Sequence, residues 1–429
     1  MQTEGLPREE LRDIIDLSLW IGQLLLQHGA ESARVEETVH LLGTGLGATW
    51  LDVFTSAHAI IITTISGEEF RTKIRRVVRF GGVNMSVIES INRLSRQVQE
   101  KQLDRFAVRQ ALEQIDQAPH HYNRWLTAVM VGLACAAFSR LFGGDWLVFM
   151  VTFADATAAG LIRQELRKHF FNPLLVVLLT AGVAGVISAL GVRLQLGNQP
   201  AIALAASVLL LVPGVPLINA AEDLLQGHLG TGVSRGITGA LIALNIAAGL
   251  ALAIEIIGLK NPWPTFIQPP SIWQDALWAA VAALGFALLF NVPPRLLGGC
   301  AACGALGHGV RFILLSTSWL RFNHLVLATF IGATAVGVAA TLLARRLKAP
   351  SPIFAITGII PMVPGTFAFG TMIGVLRLAG LVDITSGNDL PTLLANTTID
   401  AINTGLILAA LALGIALPTL LFKRPRPVV

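Results

Sequence analysis

From about residue 123 the chain runs in long apolar stretches, whereas before it the apolar positions recur in short, amphipathic groups. Ten long stretches stand out: roughly 123–142, 146–163, 172–191, 199–219, 234–258, 272–290, 295–316, 323–344, 351–376 and 393–421. Each can cross about 30 Å of hydrocarbon at a rise of about 1.5 Å per residue, so each predicts a spanning helix. The earlier segment predicts a mixed α/β unit. Residues 11–27 have helical apolar spacing and stop at Gly29, suited to a left-handed cap, and a second helix follows over about 31–46. Residues 50–56, 57–66 and 70–78 are rich in strand formers, with Gly67 and Glu68 as a turn. Ser86 with Glu89 three residues on reads as a capping box opening a helix toward Gln99, and a last helix covers about 104–116.

Composition sharpens this division. Hydrophobic residues make up 54% and charged residues 13%, against about 25% charged in ordinary soluble domains. Residues 1–121 hold 29 of the 57 charged side chains, so the net charge of +5 does not point to nucleic acid. Four units are expected: a cytoplasmic α/β domain at 1–121, a first five-helix unit at 122–258, an outer linker at 259–271 and a second five-helix unit at 272–429. Residues 1–18 are charged throughout and lack a secretory apolar core, which keeps the first domain in the cytoplasm in this reading. Twelve basic residues, among them Arg163, Arg167, Arg345 and Arg346, then fall at cytoplasmic ends and five outside: Arg140, Arg193, Lys260, Arg321 and Arg377. Both termini are expected inside.

The two membrane units are related. Asn172 falls on Asn323 and the Val-Pro-Gly at Val212 on that at Val363 with one gapless offset, 151. Gly249 aligns with Gly414 at an offset of 165. Five spans per unit is an odd number, so the second copy enters the membrane from the opposite side. The expected fold is a mainly α membrane protein of ten helices in two inverted five-helix repeats with an N-terminal α/β domain, the layout of a secondary transporter.

Proline removes a backbone donor and glycine relaxes the chain, so helices should break at Pro213-Gly214 and Pro364-Gly365 and expose amides to a small charged substrate. Asn219 and Asp223 follow the first break, and Thr366 the second. Carboxylates near hydrocarbon are costly, which marks Asp155, Asp223 and Asp400 as proton-coupling candidates. Asp223 reads equally well as an end cap in water. Asp400 aligns opposite Arg235 and so could pair with it. Arg311, with His308 three residues before it, could meet Asp155 or a substrate carboxylate, or snorkel to the outer face. Arg71, Lys73 and Arg75 alternate along one strand, giving a face for anionic lipid or for water. Cys300-Ala-Ala-Cys303 fits close helix packing better than a metal or redox pair, and with Cys135 it predicts no disulfide framework. No metal and no cofactor is expected. His28, Glu31, Ser32 and Glu36 could form a hydrolytic cluster, though adjacent helix ends explain them more simply.

The segments HGAESARVEETV at His28, RVVRFGGVNMSVIESINRLSRQV at Arg76, FGGDWLVFMVTF at Phe142, LLVPGVPLINAAEDLLQGHL at Leu210, LFNVPPRLL at Leu289 and GIIPMVPG at Gly358 resemble the threonine/serine exporter family. The resemblance covers nearly the whole chain and looks like a fusion of two modules that some relatives carry as separate polypeptides. It implies a multi-pass cytoplasmic-membrane exporter of small amino acids, driven by the proton gradient, with lipid as its surroundings and no nucleic-acid partner. Related two-protein systems point to dicarboxylates such as succinate. What carries over is Pro213, Gly214, Asn219 and Asp223, then Pro364 and Gly365, together with Gly29, Ala30, Glu31, Arg34 and Glu36, whose role the resemblance leaves open. A membrane-anchored hydrolase acting through residues 1–121 and a passive channel are the rival readings. A homo-oligomer is compatible with any of them.

Overall fold

The computed structural model describes residues 6–66, 69–77, 82–169, 172–259, 271–316, 324–380 and 390–422. Its first helix, α1 (Arg8–Gln27), buries an apolar face that includes Leu11, Ile14, Leu17, Ile21 and Leu25. It ends at Gly29, which takes φ +88°. There the Ala30 amide donates to Leu25 and the Gly29 amide to Leu26, the paired bonds of a Schellman cap. Helix α2 (Ser32–Gly45) follows at once.

Three strands, β1 (Trp50–Thr55), β2 (Ala59–Ser66) and β3 (Glu69–Arg76), form an antiparallel meander in sequence order. Leu51, Ile60 and Ile62 are buried on the face that α1 and α2 cover, while Phe54, Phe70 and Ile74 stand exposed on the other. The register places Arg71, Lys73 and Arg75 opposite Thr64, Ile62 and Ile60, on the helix-covered face. The Lys73 ammonium pairs there with Asp16 of α1. Lys73 thus turns toward α1, with Arg71 and Arg75 on the same face of the strand.

Helix α3 (Met85–Gln99) begins one residue before the expected capping box. Asn84 therefore occupies the cap and accepts from the Ser86 amide at 3.2 Å and the Val87 amide at 3.4 Å. Ser86 and Glu89 are released for other contacts, Ser86 Oγ to His121 and Glu89 to Arg93 and Arg295. Helix α4 (Arg105–Asp116) is capped by Asp104, which accepts from the Ala107 amide at 2.8 Å.

The membrane part comprises α5 (Arg124–Leu141), α6 (Trp146–His169), α7 (Pro173–Arg193), α8 (Ala201–Ser207), α9 (Gly214–Leu225), α10 (Leu229–Ile257), α11 (Ile272–Leu289), α12 (Leu297–Ser316), α13 (Leu325–Leu347), α14 (Ser351–Ile359), α15 (Gly365–Leu378) and α16 (Leu390–Phe422). Among the described residues eight helices are long and apolar enough to cross a membrane. Two bent pairs, α8 with α9 at 62° and α14 with α15 at 58°, bring the number up to 10 if each pair is one span. Asn172 caps α7 by accepting from the Leu174 amide at 2.9 Å, while its sequence counterpart Asn323 lies outside the described residues.

The two halves interlock past their bends. Helix α9 packs on α10 and also on α16, while α15 packs on α16 and also on α10. The α/β unit touches both halves. Its Met85 amide donates to Phe290 at 2.8 Å, His121 N to Asn291 Oδ1 at 2.9 Å and Tyr122 OH to Val292 at 2.6 Å, all at the turn between α11 and α12.

Candidate substrate path at two broken helices

Both spans break in the same way. In each, a short 3-10 turn, Val208–Leu210 or Ile360–Met362, runs into the Val-Pro-Gly. Pro213 has φ −76° and ψ 54°, and Pro364 has φ −75° and ψ 58°. The Gly214 amide donates back to Val212 at 2.8 Å and the Gly365 amide to Val363 at 2.7 Å. These are two inverse γ-turns. The amides expected to be exposed at Gly214 and Gly365 are therefore closed on their own chain. The donors left over are those of the following residues, since the first turn of a helix has no internal acceptor. Pro216 has no amide to offer, whereas Thr366 and Phe367 do.

The breaks also strand carbonyls, and arginines collect them. Pro213 cannot donate to Leu210, and the Gly365 amide is turned away from Met362. Arg163 Nη1 of α6 donates to the Leu210 oxygen at 3.2 Å. Arg311 Nη1 of α12 donates to the Met362 oxygen at 3.3 Å. In each half an arginine from the second helix, α6 or α12, serves the break. Arg311 thus meets neither Asp155 nor the outer surface alone, and its other Nη contacts His308.

The two breaks face each other. A Cβ at Gly214 would lie 3.7 Å from Val363 Cγ2, and one at Gly365 would come within 2.5 Å of a Leu209 methyl. Pro213, Pro364 and Gly365 are buried, and Gly214 and Thr366 are half-buried. Asp155, fully buried on α6, accepts from Ser188 of α7 and stands beside Ser207, the last residue of α8 before the first break. Asp400 of α16 comes against Gly370 of α15, the helix leaving the second break.

Asn219 and Asp223 hold the α/β unit. Asn219 Nδ2 donates to the Gly29 oxygen at 2.8 Å. Asp223 accepts from the Ser32 amide at 2.9 Å and from Arg235 Nη1 at 2.8 Å, and Arg235 Nη2 donates to the Ala30 oxygen at 2.9 Å. A carboxylate at the N-terminus of α2 is favoured by the helix dipole and its free amides. Arg235 is thus the partner of Asp223 and not of Asp400. The Gly29-Ala30-Glu31 element, without a role in sequence, is the docking edge of the α/β unit. Beside it Glu31, Arg34 and Glu222 line an open cleft of about 460 Å³, its solvent mouth included, where both halves meet the α/β unit. One oxygen of Glu222 is buried there without a partner.

The residues of the hydrolytic reading diverge. Glu36 accepts from Thr55 through its amide at 3.1 Å and its hydroxyl at 2.7 Å. The Ser32 amide goes to Asp223, and no bond joins Ser32 to His28. Burial lowers the His28 pKa, with the Gly82 backbone as its hydrogen-bond partner. The cysteines are free and buried, and Cys303 packs where Gly358 leaves room for it.

Nothing in the sequence singles out Arg163 for its bond to Leu210 or Asp275 for its contact with His308 of α12. Arg163 reads there as a basic helix end, and Asp275 sits in the first turn of an apolar span, where an acidic residue suits the helix dipole.

Eight apolar helices long enough to cross a membrane, with two bent helix pairs that meet face to face among them, define a multi-span membrane transporter. Two family models match it, ThrE over residues 16–257 and a second described as "Threonine/Serine exporter, ThrE" over residues 275–421. The chain belongs to the threonine/serine exporter family. It is similar to the "Probable succinate transporter subunit YjjP" of Escherichia coli (strain K12), 40% identical over 256 residues, 59% of this chain and 98% of that relative. It is also similar to the "Threonine/serine exporter" of Corynebacterium glutamicum, 25% identical over 397 residues, 88% of this chain and 78% of the relative. The "Probable threonine/serine exporter" of Mycobacterium tuberculosis (strain ATCC 25618 / H37Rv) is 25% identical over 381 residues, 85% of this chain and 70% of the relative. No solved structure matches the chain.

Proposed function

We propose that this exporter moves small amino acids, threonine and serine, out of the cytoplasm in exchange for protons, through two inverted five-helix repeats whose broken helices flank the path. The observation that carries this reading is the meeting of the two breaks, Gly214 against Val363 and Gly365 against Leu209, each with an arginine on its stranded carbonyl. In it Pro213, Gly214, Pro364, Gly365 and Thr366 line the path, and Arg311 attracts the substrate carboxylate when it leaves Met362. Asp155 carries a proton at the first break, with Asp400 as a second carboxylate beside α15. Asn219 and Asp223 couple the path to the α/β unit. The protein lies in the cytoplasmic membrane with both termini inside, as the basic residues at Arg163, Arg167, Arg345 and Arg346 favour.

A second reading is export of small dicarboxylates, favoured by the succinate transporter subunit among the similar proteins. Counterflow of threonine, serine and succinate in proteoliposomes, with and without a pH gradient, tests both. Accumulation of threonine or serine supports the first reading and of succinate alone the second. Uptake equal to that of empty liposomes for all three rejects transport of either class.

A further inference from the structure

Asp275 of α11 is 1% exposed, and its Oδ2 lies 2.7 Å from Nδ1 of His308 on α12. The other ring nitrogen, Nε2, meets an Nη of Arg311, whose second Nη donates to the Met362 oxygen at the second break. Four groups in a row thus join a buried carboxylate to a stranded carbonyl.

The protons in this row are dictated by chemistry. A guanidinium has donors and no acceptor, so Nε2 must present its lone pair to Arg311. The proton of the neutral ring then sits on Nδ1 and is donated to Asp275. A second proton has only Nε2 to bind, where it would confront an N–H of Arg311. Contact with Arg311 and the doubly protonated ring exclude each other. The imidazolium instead gains a charge-assisted bond to Asp275. Asp275 keeps its other oxygen without a partner, which leaves the carboxylate free to hold that charge.

We propose that Asp275, His308 and Arg311 form the proton-binding site of the second half: a proton on His308 Nε2 expels Arg311 from the ring, loosens its hold on Met362 and frees the second break to move. The proton adds to a lone pair and no other bond changes. The charged groups around His308 are few. Asp275 faces it from α11 and Arg311 from α12; the described residues of α14 carry no ionisable side chain, and those of α13 are Arg345 and Arg346 at its far end. On α5, which packs on α11, Arg140 stacks on Trp146 and Trp278. The proposal rests on the exporter reading only for the meaning of the motion.

The first test needs no substrate. Thr366→Cys is introduced into the full chain, whose three native cysteines are buried, and maleimide labelling is compared with and without His308→Gln. The glutamine side chain can accept from Arg311 and donate to Asp275 but takes no proton. Taking the ratio of the two rates cancels the thiol's own titration. It should rise at least about three-fold from about pH 8 to about pH 4, a range wide enough for an imidazole held beside a guanidinium. A flat ratio overturns the proposal. In proteoliposomes, His308→Gln should make threonine counterflow independent of a pH gradient, and an unchanged response to the gradient also overturns the proposal. If His308→Gln does not fold, Asp275→Asn decides, because loss of the carboxylate should move the midpoint of labelling at Thr366→Cys to lower pH. An unmoved midpoint overturns the proposal. Failure of wild-type counterflow alone counts against the exporter reading and leaves the labelling result to judge the proton site.

Discussion

Gly249 and Gly414 occupy equivalent places. A Cβ at Gly249 would come within 2.5 Å of the Leu178 carbonyl oxygen, and one at Gly414 within 2.9 Å of that of Phe330. Each lets the last helix of its half, α10 or α16, lie close on the backbone of α7 or α13.

Gly249→Ala and Gly414→Ala should therefore destabilise the protein to a similar extent, by about 1–3 kcal/mol each, the usual cost of overpacking. The obstacle is a carbonyl oxygen rather than a movable side-chain tip. Gly236→Ala, whose Cβ would meet nothing within 4 Å, should stay near the wild type. Thermal unfolding in detergent reads all three.

Arg235→Ala leaves Asp223 buried with the Ser32 amide as its remaining partner. Removing one side of a buried pair costs about 3–5 kcal/mol. The α/β unit should loosen from α9, with faster amide exchange over residues 29–36. Exchange in that segment equal to wild type would show that Asp223 and Arg235 do not hold the interface.

Asp155→Asn keeps the shape of the buried group facing Ser188 and Ser207 and removes its titration. The variant should lose most gradient-driven export and retain substrate exchange. Normal gradient-driven export over about pH 6 to 8 would make Asp155 structural and pass the proton role to the second half.

His28 lies in the α/β unit, and burial holds its pKa below the ordinary 6.5. Between the two pKa values the unfolded chain binds more protons than the folded one, so stability rises with pH there. The contribution is whole above about pH 6.5 and declines as the pH drops through the folded value. His28→Gln should flatten this part of the melting-temperature profile, and a profile identical to wild type would assign the acid sensitivity elsewhere.

Much of the architecture can be read from the residues because membrane and cap chemistry are local. A run of apolar residues has few ways to satisfy its backbone in hydrocarbon, so the long stretches announce helices. Gly29 reads as a left-handed cap, and Pro213 and Pro364 as breaks, since their constraints lie in their own backbones. The cap at Asn84 escapes such a reading because two overlapping cap patterns compete within three residues, and packing of Glu89 against Arg295, far along the chain, selects one.

The long apolar helices, the two places where helices break and the presence of an α/β region near the N-terminus follow from hydropathy, proline and glycine along the chain. The roles of the polar residues do not; they wait on the packing of the helices. Asp223 reads equally well as a proton carrier or a cap until Ser32 and Arg235 are seen on its two oxygens. Arg163 and Arg311 gain their meaning from carbonyls at Leu210 and Met362 that the breaks leave without amides. A side chain's partner is set by which surfaces the folded helices bring within about 3 Å, and spacing along one chain does not carry that information.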